Sequence, residues 1–313
     1  LMGDLKNKSK SLRDIALKRL LNNYLALVGF VIVIIFFVFA IFGTILAPYD
    51  FLSQNIDRAL EGPSKDYILG TDPMGRDVFS RMVFGARTAA IVAFTTTIIS
   101  LILGVFIGTI AGFSGGKIDA FLMWITDITM SVPGLLLAIL INATIKPPIS
   151  SLFDALYQST ENTIFLNTYM IDFVIVFGAI ALISWPSYAR IVRGQILSVK
   201  QQIYVEAAVS MGANLTHLMK RHLIPNSIGP IVVAVTQGIG GAILLESSLS
   251  FLGVGVQPPN ASWGSMLSDS LTLWRSFPHL MIVPAITIGI IQIAFIFLGD
   301  GINDALNPKQ TRR

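Results

Sequence analysis

The sequence predicts an all-α polytopic membrane protein with six transmembrane helices, and three observations carry that prediction. Hydrophobic residues make up 53% of the chain and charged residues only 13%, about half the charged share of soluble domains, and mean hydropathy is +0.71. Six stretches are long and apolar enough to cross a hydrocarbon core of roughly 30 Å. Six crossings put both termini on one side, and that side holds fifteen of the 22 lysines and arginines. The excess marks it as cytoplasmic.

Residues 1–23 are basic (Lys6, Lys8, Lys10, Arg13, Lys18, Arg19), with Leu12, Ile15, Ala16 and Leu20 on one helical face. This spacing predicts an amphipathic helix lying in the cytoplasmic interface. Residues 24–47 follow as the first span. Its uncharged run, Leu25–Ala47, is too long for a signal-peptide core and has no convincing cleavage site. The remaining spans are expected at Thr88–Phe113, Ala120–Ala143, Tyr169–Ser187, Ile228–Leu245 and Leu280–Leu298. Gly104, Gly108 and Gly112 lie on one face of the second span, where small residues let helix backbones approach closely in lipid. They predict a helix–helix contact within the bundle.

The third expected span contains Asp127 and Pro133. A carboxylate in hydrocarbon is costly, so Asp127 should face the bundle, a water-filled path or a cation. Both a path residue and a structural residue near the cytoplasmic interface fit. Residues 144–168 form an external insert, Pro-Pro near its start and Ser/Thr/Asn-rich later, which is either a solvated loop or a contact for a binding protein.

The first external segment, residues 48–87, contains LGTDPMGRDVFSRMVFGAR. Asp72-Pro73 reads as a helix start, a capping carboxylate followed by proline at the first helical position. Met74, Val78 and Met82 would line one face of an amphipathic helix on the outer membrane surface, with Arg76, Asp77 and Arg81 pointing elsewhere. Between the fourth and fifth spans lies a polar island, QIYVEAAVSMGANLTHLMKRHLIPN, approached by Arg190, Arg193 and Lys200. It predicts a helix near Tyr204–Met211, a bend at Gly212, and a second helix near Asn214–Arg221 that Pro225 stops. Such a helix–turn–helix suits docking into a groove on another protein.

Composition and motif searches exclude several functions. With no cysteine there are no disulfides, thiolate metal sites or cysteine nucleophiles. The nearest approach to a P-loop, Gly112–Ile118, has the wrong spacing and no hydroxyl after Lys117, so the chain does not hydrolyse ATP by that route. His217, His222 and His279 are scattered and form no H-E-x-x-H. Neither a channel filter nor a catalytic pair is apparent, and nothing marks nucleic-acid binding.

Glu206-Ala207-Ala208, then Gly212 and Pro225, resemble the "EAA" loop of ABC-importer permeases, with both internal spacings kept. His222 and Ile224 stand where that pattern has Ile and Leu, an ending similar to the peptide/nickel branch. Gly70, Thr71, Asp72, Gly75, Arg76, Asp77 and Arg81 resemble the L-G-T-D-x-x-G-R-D-x-x-S-R signature of peptide-importer permeases. Glu246 to Gly264, ESSLSFLGVGVQPPNASWG, is similar to a third segment of the same branch. Relatives commonly carry an arginine shortly before the aspartate at position 127, where this chain has Trp124.

The resemblance implies the type I ABC-importer permease fold and a C-type subunit of a peptide importer; a nickel-chelate or other small-solute importer of that branch is the alternative. It implies that Tyr204, Glu206, Ala207, Ala208, Gly212 and Pro225 couple the chain to an ATPase. Asp127 and Glu246 are candidates for the translocation path. It further implies a second homologous permease, two ATP-binding subunits that hold ATP and Mg, an extracellular or periplasmic substrate-binding protein, and residence in a bacterial or archaeal plasma (inner) membrane. This chain would carry no cofactor and no enzymatic activity. The core permease domain is expected at 88–298, with the coupling loop at 188–227, external segments at 144–168 and 246–279, and a cytoplasmic tail at 299–313.

Overall fold

A computed structural model describes residues 18–162, 165, 168–213, 218, 221, 224–257 and 260–306. Most of the expected N-terminal amphipathic helix, most of the expected helix at 214–221, the Pro258-Pro259 pair and the end of the tail lie outside the described residues. Among those described, the only extended pairing is an isolated bridge between Thr71 and Asp77, and the rest is helix and turn.

Helix α1, Tyr24–Leu46, is an uninterrupted apolar run whose first turn is capped by the Asn23 side chain, which accepts from Ala26 N at 3.2 Å. Its 23 residues extend about 35 Å at 1.5 Å per residue, enough to cross a bilayer. Helix α2, Val78–Ser114, runs 37 residues without a break. The amphipathic surface helix and the second span expected separately are therefore one helix. Its cap is Asp77, which accepts from Ser80 N at 2.8 Å, and not Asp72.

Helix α3, Gly116–Ser131, ends at Val132, and α4, Gly134–Thr160, begins after Pro133. The span expected at Ala120–Ala143 is thus split. The reason is local: a residue before proline is driven out of helical geometry, and Val132 is extended at φ −89°, ψ 131°. The third membrane-spanning helix is Gly134–Thr160. It also corrects the expected loop, because α4 passes through Pro147 and Pro148 with two ladder donors missing.

Helix α5, Thr168–Lys200, runs thirteen residues beyond the expected end at Ser187. Arg190 and Arg193 do not end it, because each finds a carboxylate on α3. Helices α6, Ile203–Ser210, and α7, Ile224–Phe251, follow, then α8, Trp263–Ser270, and α9, Pro278–Leu306. Ser262 caps α8 through a reciprocal pair with Ser265. Among the described residues, six helices have the length and composition to span a membrane.

The largest helix–helix contact joins α2 to α5. An added Cβ on Gly104, Gly108 or Gly112 would run into Tyr188, Ala189 or the Arg193–Ile196 turn of α5, so these glycines set the separation, as their spacing predicts. The main core joins α1, α2, α5, α7, α8 and α9 around Phe36, Val92, Ile180, Ile243, Trp263 and Phe295.

Candidate functional site

The polar island builds a small platform on the end of α5. After Lys200 the chain turns through Gln202, whose carbonyl accepts from Val205 N at 2.9 Å and Glu206 N at 3.1 Å, starting α6. One face of α6 is pinned down: Val205 and Ala208 are buried with Val192, Ile196 and Val199 of α5 and with Leu218. The other face is open. Ile203 is 84% exposed and Met211 82%, with Glu206 and Ala207 exposed between them and Tyr204 exposed on the same side. Ala208, expected among the residues that couple the chain to an ATPase, seats the helix on α5, and the outer surface belongs to its neighbours.

Gly212 ends α6 at φ +82°, a left-handed conformation that non-glycine residues adopt only at a cost. Ala213 N then bonds back to the Ala208 carbonyl at 3.0 Å, closing the turn as a glycine C-cap does. The expected bend is present. Pro225 lies in the first turn of α7, where a missing amide donor costs nothing. It therefore opens the following helix.

The basic residues leading to this platform are tied inward. Arg193 forks onto Asp119 at 2.5 and 2.6 Å. Arg190 meets Asp127 at 2.6 Å with both side chains more than half exposed. Lys200 donates to the Phe113 carbonyl at 3.0 Å and lies over the Phe113 ring. Asp127 thus has a cation from α5, in place of one from its own helix. The sequence alone gave no sign of this pairing, because the partner is 63 residues away.

The residues of the second signature converge into one buried knot. Thr71 Oγ1 donates to the Arg58 carbonyl at 2.5 Å and accepts from Glu61 N at 2.8 Å. Asp72 Oδ1 accepts from the Met74 and Arg76 amides, and its Oδ2 accepts from Arg76 Nε at 2.6 Å and Arg81 Nη1 at 2.5 Å. Asp269 completes the group, 3.4 Å from Arg81 and 3.6 Å from Arg76. Two guanidinium groups and two carboxylates balance, as buried charges require. Gly75, at φ +69°, turns the loop so closely beneath the Asn55 carbonyl that a Cβ would overlap it. Nearby, Trp263 Nε1 donates to the Met82 carbonyl at 2.9 Å, joining α8 to α2.

Thr71, Asp72, Arg76, Asp77 and Arg81 are all buried. They shape this end of the bundle from within and do not present a contact surface; Arg76 and Arg81, expected to point away from the helix packing, are its core. Asp269, which the sequence reading missed, is their half-exposed counter-charge. On the rim, Arg58 forks onto Glu61 at 2.6 and 2.8 Å. These bonds hold the Glu61 carboxyl below the usual glutamate range and raise Arg58.

Glu246 is fully buried. Its Oε1 accepts from Ser250 Oγ at 2.7 Å, and Ser250 Oγ in turn accepts from Val256 N at 3.0 Å. Glu246, expected on the translocation path, is thus held inside this chain, where it clasps the turn after α7. No group of metal-binding side chains occurs among the described residues.

Comparison with known proteins places this arrangement. Residues 104–312 match the family described as binding-protein-dependent transport system inner membrane component. Residues 11–63 match the N-terminal TM domain of oligopeptide transport permease C. The chain is 37% identical over 302 residues to the oligopeptide transport system permease protein OppC of Bacillus subtilis (strain 168), covering 96% of this chain and 91% of that protein. It is 36% identical to the dipeptide permease DppC of Alkalihalophilus pseudofirmus, covering 94% and 89%. It is also 36% identical to the glutathione permease GsiD of Pectobacterium atrosepticum, covering 93% and 89%. A crystal structure of an amino acid ABC transporter with histidines superposes with a TM-score of 0.51 at 18% identity, covering 71% of this chain and 92% of that one, a likeness of fold.

Proposed function

The chain belongs to the family of inner membrane components of binding-protein-dependent transport systems, and from that premise we propose that it is the C-type permease of an ATP-driven peptide importer. As a member of that family it is a multi-pass subunit of a transport complex and not itself an enzyme. Oligopeptides, dipeptides and glutathione, named for its relatives, share amide-linked residues, and peptides are the substrate class carried over here.

The observation that carries the reading is the α6 platform: one face packed onto α5, the other open with Ile203, Tyr204, Glu206, Ala207 and Met211. A short helix seated this way moves with the long helix beneath it. Closure of two ATP-binding subunits against α6 would push α5, rock the spans and open a central path to an external substrate-binding protein. A second permease completes that path. The lysine and arginine excess supports a cytoplasmic location for α6 and both termini in a bacterial or archaeal inner membrane. ATP and Mg belong to the partner subunits.

Uptake of labelled di- to hexapeptides and of chelated nickel, with and without this chain, tests the reading. Peptide uptake should require the chain and vanish in Glu206→Arg while the protein still reaches the membrane. Uptake of nickel alone would move the substrate assignment to the metal branch, and Glu206→Arg transporting normally would remove the coupling role.

A further inference from the structure

Two large cavities differ sharply in character. One, of about 370 Å³ between α1, α2 and α9, is walled by residues such as Phe36, Met82, Trp263 and Ile291. The other, of about 390 Å³, lies between α2, α5 and α7 and is lined by Thr97, Ser100, Ser184, Ser187, Tyr188 and Gln237. Every polar group on its wall is uncharged. Polar side chains at this depth in membrane-spanning helices face protein or water, not lipid.

Part of this polarity is explained locally. Thr96 and Ser100 donate back to carbonyls of their own helix, at 2.8 and 2.7 Å, as hydroxyls in helices commonly do. Thr97 is different. It is 4% exposed, and its Oγ1 sits beside the Tyr188 hydroxyl without a well-aligned hydrogen bond. The Tyr188 hydroxyl occupies space that only a glycine leaves, since a Cβ on Gly238 would collide with it. Ser187 and Gln237 stand exposed at the mouth. Gln237 Nε2 donates to Asp300 at 3.1 Å, so three helices bring hydroxyl and amide groups to one cavity, Thr97 Oγ1 among them without an aligned partner, at a size within the roughly 300–1,000 Å³ of small-molecule sites.

We infer that this cavity is the solute-contacting section of the path, and that its hydroxyl and amide groups bind the main-chain amides of a peptide. The inference rests on the peptide-importer reading. Neutral donors and acceptors match the C=O and N–H that every peptide carries, whatever its side chains. The lining groups themselves offer no counter-charge to a peptide terminus or a metal chelate, and the Asp300 carboxylate beside Gln237 is engaged by it. Selection at this point is for backbone and not for sequence.

Because the chain has no cysteine, a single introduced thiol reports cleanly. Ser187→Cys in the assembled transporter is reacted with a small hydrophilic methanethiosulfonate and read as mass added to this chain. Ile98→Cys, on the exposed face of α2, is the control. Ser187→Cys should react, and saturating tripeptide with ATP should slow it several-fold; Ile98→Cys should show no peptide effect. Thr97→Val and Tyr188→Phe, which keep the shape, should each raise the KM for peptide uptake about five-fold, the scale of one lost hydrogen bond, with assembly unchanged. A thiol at 187 that never reacts, a reaction indifferent to peptide, or an unchanged KM in both variants overturns the cavity assignment. Uptake by the cysteine-free parent is measured alongside: intact uptake with an unreactive thiol sinks the cavity alone, whereas no peptide uptake by the parent sinks the peptide reading and the cavity with it.

Discussion

Arg81 donates to Asp72 at 2.5 Å with both side chains at most 5% exposed, and Arg76 reaches the same carboxylate oxygen from the other side. Removing one member of such a group leaves its partners buried and unpaired, at a cost of about 3–5 kcal/mol. Asp72→Asn is therefore expected to lower the melting temperature and membrane yield strongly. Asp269→Asn should cost much less, since water reaches that carboxylate. Thermal unfolding of the purified complex compares the two.

The rim of the same region carries a pH dependence. The Arg58 bonds hold Glu61 below the ordinary glutamate range. A carboxyl depressed in the folded state contributes stability above its unfolded value, and that contribution disappears as pH falls through the folded value. Protection of the Glu61 and Thr71 amides against hydrogen exchange, corrected for the intrinsic rate at each pH, should therefore fall on acidification below the usual glutamate range. Glu61→Gln should show the reduced protection already at neutral pH and lose its dependence on pH.

Arg190–Asp127 gives a contrasting expectation. Both groups are more than half exposed, and such pairs contribute about 0–1 kcal/mol. Asp127→Asn and Arg190→Gln should leave thermal stability within that margin. If the pair steers the α3–α5 contact during transport, uptake falls in each single variant and recovers when the two charges are exchanged. Unchanged uptake in all three would assign it no part in the cycle.

Gly212 isolates backbone strain from packing. Its φ is +82° and a Cβ there meets nothing within 4 Å. Gly212→Ala therefore adds only the left-handed penalty, about 1–2 kcal/mol, and Gly212→Asn adds less. Peptide-stimulated ATP hydrolysis by the assembled transporter should fall in the order Gly, Asn, Ala.

Much of the fold was legible because hydropathy and helix periodicity are local properties. The number of spans and the places of five of them, the α6 helix, the Gly212 bend and the close packing at Gly104, Gly108 and Gly112 all follow from short windows of sequence. What was misread depends on partners distant in the chain. Asp72 resembles a helix cap until Arg76, Arg81 and Asp269 are placed around it, whereupon Asp77 takes the cap. Arg190 and Arg193 look like the end of a span until Asp127 and Asp119 receive them. Ala208 and Glu246 sit in motifs that resemble contact surfaces, yet side-chain direction turns both inward. The break at Val132-Pro133 was readable from proline chemistry alone, and the apolar run around it hid the signal.

Pro186 interrupts the hydrogen-bond ladder of α5 between Ser184 and Ser187. At 1.5 Å per residue this helix is a rod about 50 Å long, with α6 fixed at one end and its single proline beside the hydroxyl-lined cavity. A rod bends where its ladder is cut. A push arriving at the α6 end would be expected to bend the helix beside the cavity wall, and the ring of Tyr188, two residues past the joint, would turn with it. The residue that weakens the helix therefore sets its joint at the cavity and not at the platform.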